Sequence, residues 1–381
     1  MSERLRVLVV PKWYPWPDRP VFGLFCREHA RALATRHDVV VLASLATPHP
    51  RFKAFALEDA VEDGIRTLRV RYRRPFLRPA AMGFQLLGML VALRRLRRDG
   101  WRPDVVHAHV FEAAPPALVL GGLSRAKVAI TEHYTGFGRG LVTGYDRFLA
   151  RVAFRQADVV GAVSEELAGR LRQLAPGARV KVVPNTVDTD VFYPSSQPRG
   201  QGTPARLLNV ADLAEKKGQR VLLEALAKLP GATLEIAGEG PERGPLERLA
   251  RELDIADRVT LLGAQPPERI AELMRSADLF VLPSFHENLP VVLIEAQASG
   301  LPAVATSVGG VPELVDAAAG AVVAPGDPDA LAEAIRTTLA RSDRHDAAAL
   351  AARAADRFGY TAVCDRWTLI YRDVGATGHR A

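Results

Sequence analysis

The sequence predicts an α/β protein built from two doubly wound parallel sheets. Short apolar strand patterns alternate with helical patterns along most of the chain, which is typical of parallel sheets covered by helices on both faces. The alternation stops once, in a segment around residues 193–204 that is rich in Ser, Gln, Pro and Gly, and then restarts. The length of 381 residues is about two to three times that of a common single domain. We therefore expect one domain over residues 1–195 and another over residues 196–360.

The first half begins with a buried strand and a helix. Leu5–Val10 is almost continuously apolar, and a loop rich in Pro and Trp follows it. Phe22–Arg36 has apolar residues at helical spacing. The other elements predicted here are strands at 38–42, 67–72, 104–108, 128–131, 158–164 and 180–183, and a helix at 80–98.

The second half repeats the same plan. Its predicted elements are strands at 206–210, 233–237, 259–262, 279–282 and 303–306, and helices at 219–228 and 329–340. A last amphipathic run, Val363–Val374, indicates a C-terminal helix within about residues 361–381 that we expect to pack back on the first domain. Two doubly wound domains with facing edges predict a ligand site in a cleft between them.

Composition excludes several classes of protein. Hydrophobic residues make up 48% and charged residues 24%, which argues against a disordered chain and a polytopic membrane protein. The two cysteines, Cys26 and Cys364, exclude a disulfide scaffold and a multi-cysteine metal site. The first residues do not have the pattern of a signal peptide. We expect the protein to be cytoplasmic.

The positive charge is concentrated in the first half. The net charge is +7, yet residues 1–195 hold 30 Lys and Arg against 18 Asp and Glu, and residues 196–381 hold 20 against 25. Such a basic half suits nucleic acid, an anionic membrane or a phosphorylated substrate. The sequence has none of the common nucleic-acid motifs, so we expect no nucleic-acid partner.

One apolar stretch has two readings. Ala80–Leu93 is flanked on both sides by arginines and is too short to span a bilayer. It fits a helix lying on the inner face of the cytoplasmic membrane, with its arginines on anionic lipid. It fits equally a core helix with a solvated basic end.

The run from Pro283 to Pro302 carries the most chemical information. A strand ends before it, Asn288 stands where an N-cap would, and Gly300 stands where the helix would stop. A helix start at Asn288 would offer backbone N–H groups to an anion such as a diphosphate. Glu287 and Glu295, eight residues apart, could accept hydrogen bonds from two sugars joined by that diphosphate. The plain alternative is an ordinary acidic helix start and a solvated helix glutamate.

This run resembles the signature of the family-4 retaining glycosyltransferases, the glycosyl transferases group 1, which have the GT-B fold. Other segments resemble further motifs of the same family, and together they extend over nearly the whole chain. In chain order these segments are Val183–Phe192, Val210–Leu213 with Lys217-Gly218, Gly238–Pro241, Val259–Gly263 and Ser307–Glu313.

The resemblance implies two Rossmann-like domains facing a central cleft, the first binding the acceptor and the second the nucleotide sugar. It implies a retaining hexosyltransferase that moves a sugar from a nucleotide-diphosphate sugar to a glycan, lipid-linked or small-molecule acceptor. Cell-surface polysaccharide or glycolipid biosynthesis is the expected setting. The sugar would be transferred by displacement on one face, with the leaving phosphate assisting the incoming hydroxyl. No metal and no cofactor besides the sugar donor are expected.

The resemblance also assigns roles to residues of the second domain. Glu287 would contact hydroxyls of the transferred sugar, and Lys217 would neutralise the departing diphosphate. The remaining donor-binding residues would hold the ribose, the phosphates and the base; they are Glu295, Asn288, Leu289, Pro290, Gly263, Ala264, Gln265, Lys216 and Asp212.

In the first domain the resemblance assigns two residues. His133, in the segment Thr131–Tyr134, would face the donor sugar, and Gly23 would bring a backbone amide near the acceptor and the phosphate. From its place at the end of a predicted strand, we expect His109 to line the cleft. We place His107 and His109 on opposite faces of that strand, which disfavours a shared metal.

One residue departs from the family pattern. The family usually has Arg where this chain has Asp212, which removes one positive charge and adds a negative one. Either Asp212 turns away and Lys216 shares its work, or activity is weakened, or the loop is shifted and Asp212 caps it. The departure leaves open a non-catalytic nucleotide-sugar-binding subunit as the alternative to an enzyme.

Overall fold

The computed structural model describes residues 4–19, 21–47, 54–74, 78–196, 204–341 and 346–378. The chain divides into two compact units, Met1–Pro184 with Val363–Ala381 and Asn185–Ala362. The division after Pro184 lies earlier than the predicted one after residue 195. Two side chains explain this difference, because the Asn185 amide donates to the Leu289 carbonyl at 2.7 Å and the Thr186 hydroxyl to the Phe358 carbonyl at 2.8 Å.

The first unit contains a single eight-stranded sheet. Neighbouring strands are parallel except for the antiparallel pair β3–β4, and the strand order is β3-β4-β2-β1-β5-β6-β7-β8. The chain moves from β1 to one side of it and returns on the other side at β5, so the winding reverses between β1 and β5. The elements are β1 (Arg6–Pro11), α1 (Leu24–Ala34), β2 (Asp38–Thr47), β3 (Phe55–Glu62), β4 (Ile65–Arg73), α2 (Arg78–Arg98), β5 (Val105–His109), α3 (Ala114–Ser124), β6 (Lys127–Glu132), α4 (Gly144–Gln156), β7 (Val159–Ala162), α5 (Glu165–Leu174) and β8 (Val180–Val182).

The second unit contains a six-stranded sheet in which every neighbouring pair is parallel. Its strand order is β11-β10-β9-β12-β13-β14, so the winding reverses between β9 and β12. The elements are β9 (Ala205–Val210), α6 (Gln219–Ala227), β10 (Ala232–Ala237), α7 (Arg243–Glu252), β11 (Val259–Gly263), α8 (Pro267–Ser276), β12 (Leu279–Leu282), α9 (Val291–Ala298), β13 (Ala303–Thr306), β14 (Gly320–Val323), α10 (Pro328–Leu339) and α11 (Ala347–Phe358).

The last helix, α12 (Tyr360–Asp373), completes the core of the first unit. Trp367 and Tyr371 on this helix are fully buried in a cluster with Val7 and Val9 of β1. Gly161 in β7 makes room for the indole, because a Cβ at that position would lie 2.6 Å from the Trp367 ring. Bulky aromatic burial of this kind contributes more than most contacts in a core.

Within the residues that the structure describes, no helix combines the length and the apolar character that crossing a bilayer requires. Helix α2 buries Met89, Leu93 and Leu96 against the first unit. Its other face exposes Met82 and Leu87 together with Arg94, Arg95 and Arg98.

Candidate functional site

Two loops lie together at the carboxyl edge of the second sheet, where its winding reverses. One follows β9 and ends at Gly218, and the other follows β12 and begins at Pro283. Gly218 has φ 70°, and a Cβ there would lie 2.1 Å from the Pro283 carbonyl oxygen. Only glycine therefore allows this approach of the two loops. In open α/β sheets this edge is where ligands bind.

The two loops bring Lys217 and Glu287 into contact. Lys217 Nζ lies 2.6 Å from Glu287 Oε1, and the Ser284 hydroxyl donates to the same oxygen at 2.8 Å. The lysine side chain is 18% exposed and the glutamate side chain 6%. A carboxylate this deeply buried needs both donors, since an unpaired buried charge is costly. The site therefore holds an ion pair ready to interact with polar and anionic groups.

The backbone around Glu287 is held from two sides. Gly309 has φ 53° and packs so closely that a Cβ would lie 2.0 Å from the Glu287 carbonyl oxygen. Gly310 N donates to the Asn288 carbonyl at 2.6 Å, and Phe285 N donates to the Lys216 carbonyl at 2.8 Å. These contacts fix the direction of the Glu287 side chain.

The predicted helix start at Asn288 is wrong. Helix α9 begins at Val291, with Pro290 at the N-cap position in an extended conformation (φ −67°, ψ 119°). The physical reason is that Pro290 is itself extended and that the residue before a proline is disfavoured in the helical region, so the helix does not begin before Pro290. The first-turn amides of the helix are those of Val291 and Val292, and Asn288 is buried below them. Gly300 ends the helix as expected, with φ 65°.

Asp212 and Lys216 lie in the loop after β9. The Asp212 side chain is exposed, and its backbone carbonyl accepts a hydrogen bond from Gln219 Nε2 at 3.0 Å. Among the described residues Asp212 has no ion-pair partner. Lys216 and Glu295, the latter on α9, are both half-buried.

Residues 263–265 lie at the end of β11, the edge strand of the sheet. Gly263 has φ 76°, and its carbonyl accepts a hydrogen bond from Gly238 N at 2.9 Å. Ala264 is exposed, and the Gln265 amide donates to the Leu262 carbonyl at 2.7 Å. This turn therefore presents mainly backbone to a ligand.

In the first unit, His109 ends β5 and His133 follows β6 directly. His109 Nδ1 and His133 Nε2 are 3.0 Å apart, within hydrogen-bonding distance. Gly23, at the start of α1, has φ 75°, and a Cβ there would lie 2.4 Å from the Trp13 backbone. The loop before α1 can pass this point only with glycine.

The prediction that His107 and His109 lie on opposite strand faces is wrong. Their rings stack with centroids 4.7 Å apart and an interplanar angle of 20°. Successive residues alternate between faces, so residues two apart share a face. His107 is held by Tyr371 Oη and Thr131 Oγ1, each at 2.6 Å.

Burial keeps three histidines of the first unit, His29, His107 and His109, uncharged. Loss of solvation lowers the pKa of His29 to about 4 and holds the pKa of His107 and of His109 well below the usual range. Burial raises the pKa of the Glu132 carboxyl to about 7, although backbone N–H groups of Tyr134, Phe111 and His133 donate to it and oppose the shift. Neutral imidazoles can both donate and accept hydrogen bonds, as His107 does with Tyr371 and Thr131.

The sequence also matches known protein families. Residues 195–355 match the family model described as Glycosyl transferases group 1, and residues 23–191 match Glycosyltransferase Family 4. The chain is 32% identical over 363 residues to the glycogen synthase of Mycobacterium tuberculosis (strain CDC 1551 / Oshkosh), which covers 88% of this chain and 86% of that protein. The chain belongs to glycosyltransferase family 4.

Two solved structures resemble this family-4 glycosyltransferase over 97% of its chain. Sucrose-phosphate synthase from Thermosynechococcus elongatus has a TM-score of 0.74 and 21% identity over 99% of its own chain. Anabaena HepE in complex with UDP and glucose has a TM-score of 0.76 and 19% identity over 100% of its chain. At such identities the likeness shows the fold, which is GT-B.

Four residues that lie next to predicted site residues of this glycosyltransferase were not themselves predicted from the sequence. Ser284 has no motif of its own and is recognised only by its contact with Glu287. Cys26, His29 and Glu132 surround the His109–His133 pair and are fully buried. His29 could have been found, because a histidine on the apolar face of a predicted helix signals a buried imidazole.

Proposed function

We propose that this glycosyltransferase is a retaining hexosyltransferase that takes a sugar from a nucleotide-diphosphate sugar bound at the second unit. The observation that carries the proposal is the Lys217–Glu287 ion pair at the reversal point of the second sheet. This pair combines a cation for the diphosphate with a carboxylate for sugar hydroxyls. The family resemblance of the surrounding motifs supports the same roles.

The chemistry follows from the developing charge. As the anomeric C–O bond to phosphate breaks, negative charge builds up on the leaving diphosphate, and the Lys217 ammonium stabilises it. In the retaining displacement the new C–O bond forms on the same face, and the acceptor's hydroxyl proton passes to the departing phosphate oxygen. Glu287 accepts hydrogen bonds from the sugar and holds it in place. Since Lys217 supplies the positive charge, we propose that transfer proceeds without a metal.

Known relatives support a nucleotide donor and a glycan acceptor. HepE was solved with UDP and with glucose, and the Mycobacterium tuberculosis relative is a glycogen synthase. We propose that the first unit binds the acceptor, a glycan, a lipid-linked sugar or a small molecule, beside His133, which is only partly buried and takes part in transfer. A role in polysaccharide or glycolipid biosynthesis follows from such acceptors.

A non-catalytic nucleotide-sugar-binding subunit is the second candidate. It is favoured by Asp212, which stands where the family usually has Arg and whose side chain is exposed beside the loop that carries Lys217. A negative charge there would weaken the stabilisation of a leaving diphosphate. A binding subunit would retain affinity for the donor without turnover.

We further propose that the first unit contacts anionic membrane surfaces. Helix α2 exposes Met82, Leu87 and Val91 together with the arginines at its C-terminal end, Arg94 and Arg98. Exposed apolar side chains beside arginines are typical of surfaces that lie on anionic lipid. A lipid-linked acceptor would be reached at such a surface.

The test is a two-step experiment on the full chain. Thermal unfolding with UDP-, GDP- and ADP-sugars identifies the donor, because a ligand of the native state raises the midpoint. Transfer of the labelled sugar is then followed with candidate acceptors, and NMR gives the anomeric configuration of the product. Retained configuration is expected. Inversion would overturn the retaining assignment, and donor binding without transfer or hydrolysis would favour the binding subunit.

A further inference from the structure

We propose that Cys26, His109 and His133 form a binding site for a transition-metal ion of the Zn²⁺ class. One ligand atom of each residue lies within 4.8 Å of the other two. The three residues come from α1, the end of β5 and the position after β6, so the fold alone brings them together. Nothing in the family motifs calls for this grouping.

The distances are close to those of a bound ion. Zn–N bonds of about 2.0–2.1 Å and a Zn–S bond of about 2.3 Å place tetrahedral ligand atoms about 3.3–3.7 Å apart. His109 Nδ1 and His133 Nε2 are 3.0 Å apart. Rotation of the Cys26 side chain would bring its sulfur nearer and complete the site. His109 and His133 lie at the ends of β5 and β6, which the sheet holds in place.

Burial and hydrogen bonding leave part of this cluster without partners. Cys26 and His109 have no exposed surface, and His109 Nε2 has no hydrogen-bond partner among the described residues. Coordination through Nδ1, the ring nitrogen that lies 3.0 Å from His133 Nε2, would leave Nε2 as the protonated nitrogen of His109. His133 is only partly buried, so an ion can reach the cluster from its side.

The donor set selects the class of ion. Two imidazoles and a thiolate are typical ligands of Zn²⁺ and Co²⁺, and unsuited to Mg²⁺ or Ca²⁺. Coordination exchanges the Cys26 thiol proton for the metal and releases that proton to water. Three protein ligands leave a fourth position for water, which is typical of exchangeable rather than structural zinc.

Occupancy would affect the reaction by engaging His133. This consequence rests on the proposed function, in which His133 takes part in transfer. An imidazole bound to a metal cannot contact the sugar, so Zn²⁺ should inhibit a transfer reaction that does not itself need a metal. The site would then be inhibitory.

Cobalt substitution of the full chain tests the binding directly. Titration with Co²⁺ should give a cobalt–thiolate charge-transfer band in the near ultraviolet that saturates at one ion per chain, and Zn²⁺ should abolish it. Cys26→Ser should remove the band and weaken Co²⁺ binding at least tenfold. Cys26→Ala, with no oxygen at that position, should do the same.

Cys364 provides the matched control. It is the second buried cysteine of the same unit, its Sγ lies 3.7 Å from the Leu33 carbonyl oxygen, and it is not one of the three grouped residues. Cys364→Ser should keep the band and the affinity. Absence of the band in the unchanged protein, or an equal band in folded Cys26→Ser or Cys26→Ala, would overturn the site.

Activity measurements distinguish a failure of the metal-site proposal from a failure of the proposed function. Zn²⁺ should inhibit transfer by at least tenfold at saturation in the unchanged protein and in Cys364→Ser. In Cys26→Ser the basal activity should remain, and inhibition should need at least tenfold more Zn²⁺. A chain that binds Co²⁺ as predicted but transfers no sugar would refute the proposed function and leave the metal site standing. Equal inhibition of Cys26→Ser would overturn the inhibitory role.

Discussion

The two sheets carry their predicted functional residues at equivalent places, the carboxyl ends of strands near the point where the winding reverses, but with opposite electrostatics. In the second unit this edge holds the ion pair of Lys217 and Glu287. In the first unit it holds stacked neutral imidazoles, His107 and His109, beside a carboxyl group whose pKa burial raises to about 7. The same topology therefore supports a charged site and an uncharged one. The difference is in burial, because the imidazoles have no exposed surface and the lysine keeps some.

The electrostatic difference between the two sites matches the two kinds of ligand proposed for them. A diphosphate carries charge and needs a cation, whereas a sugar hydroxyl needs neutral donors and acceptors. Variants that change one of the two sites therefore test whether the other site responds.

The largest effect is expected from Glu287→Gln. The change keeps the size of the side chain and removes the charge that pairs with Lys217, so transfer should fall by about 100- to 1,000-fold. Steady-state kinetics with the identified donor measures it. Glu252→Gln, an exposed glutamate on α7, should keep normal turnover. Turnover within about threefold of the unchanged enzyme would remove Glu287 from the reaction.

Lys217→Met should have the next largest effect. It keeps the length of the side chain and removes the cation, so donor affinity and turnover should fall together, by about 30- to 100-fold in kcat/KM. Calorimetry with the nucleoside diphosphate and transfer kinetics measure the two parts.

Lys216→Met is the matched control for that variant. It removes the same charge one residue away. The backbone carbonyl of Lys216, which accepts a hydrogen bond from Phe285 N, is kept in this variant. If Lys216→Met lost as much as Lys217→Met, the two lysines would share the work and the single ion pair would not explain the site.

Mild acid should destabilise the first unit selectively. The pKa of His29, His107 and His109 lies below the ordinary value in the folded state, so the unfolded chain binds more protons as the pH falls below about 6.5. Between pH 7 and 5.5 the unfolded chain therefore gains protons at these three histidines, which lowers the free energy of unfolding. Protonation of Glu132, whose folded pKa burial raises to about 7, opposes this loss in part. Because three groups act against one, we expect a net loss of stability.

Hydrogen exchange read by mass spectrometry can resolve this effect by region. Protection of β1, β5 and β6 should fall between pH 7 and 5.5, after correction for the intrinsic exchange rate, and protection of β9 and β12 should hold. An equal loss in both sheets would contradict the electrostatic contrast. His29→Phe, which removes one titrating group from the buried face, should reduce the pH dependence.

The smallest effect is expected at the membrane. Arg94→Ser with Arg98→Ser on α2 should weaken binding to vesicles containing phosphatidylserine by up to about 30-fold, since each basic residue near the surface contributes at most about 1 kcal/mol. Co-sedimentation at low and high salt measures it. The control removes two exposed arginines of the second unit, Arg248 and Arg251 on α7. Absence of vesicle binding at low salt in the unchanged protein would show that the outer face of α2 has another role.

Local sequence patterns determined the alternation of strands and helices in both units. Buried parallel strands such as β1 and β12 are continuous apolar runs, which can be read without knowing their neighbours. The edge strand β3 was not predicted, because it has no fully buried residue and therefore no apolar face that a sequence pattern could show. Helix α3 was not predicted for the opposite reason, since it is apolar on all sides and its apolar residues show no helical periodicity.

The order of family motifs likewise determined the family and the GT-B fold from the sequence alone. Lys217, Glu287 and His133 were predicted as site residues in this way, because each stands in a motif of neighbouring residues. The chemistry of a motif is local, so a short window of sequence suffices to recognise it.

Tertiary structure alone decided which of these residues meet. Lys217 and Glu287 are 70 residues apart in the chain, and their contact depends on β9 and β12 being neighbours in the sheet. Helix α9 begins at Val291 and not at Asn288 because Pro290 is extended and disfavours a helical residue before it. The grouping of Cys26 with two histidines arises from packing between three elements. Sequence periodicity reports which face of an element is buried, whereas contacts between distant elements depend on strand order and register, which no local pattern contains.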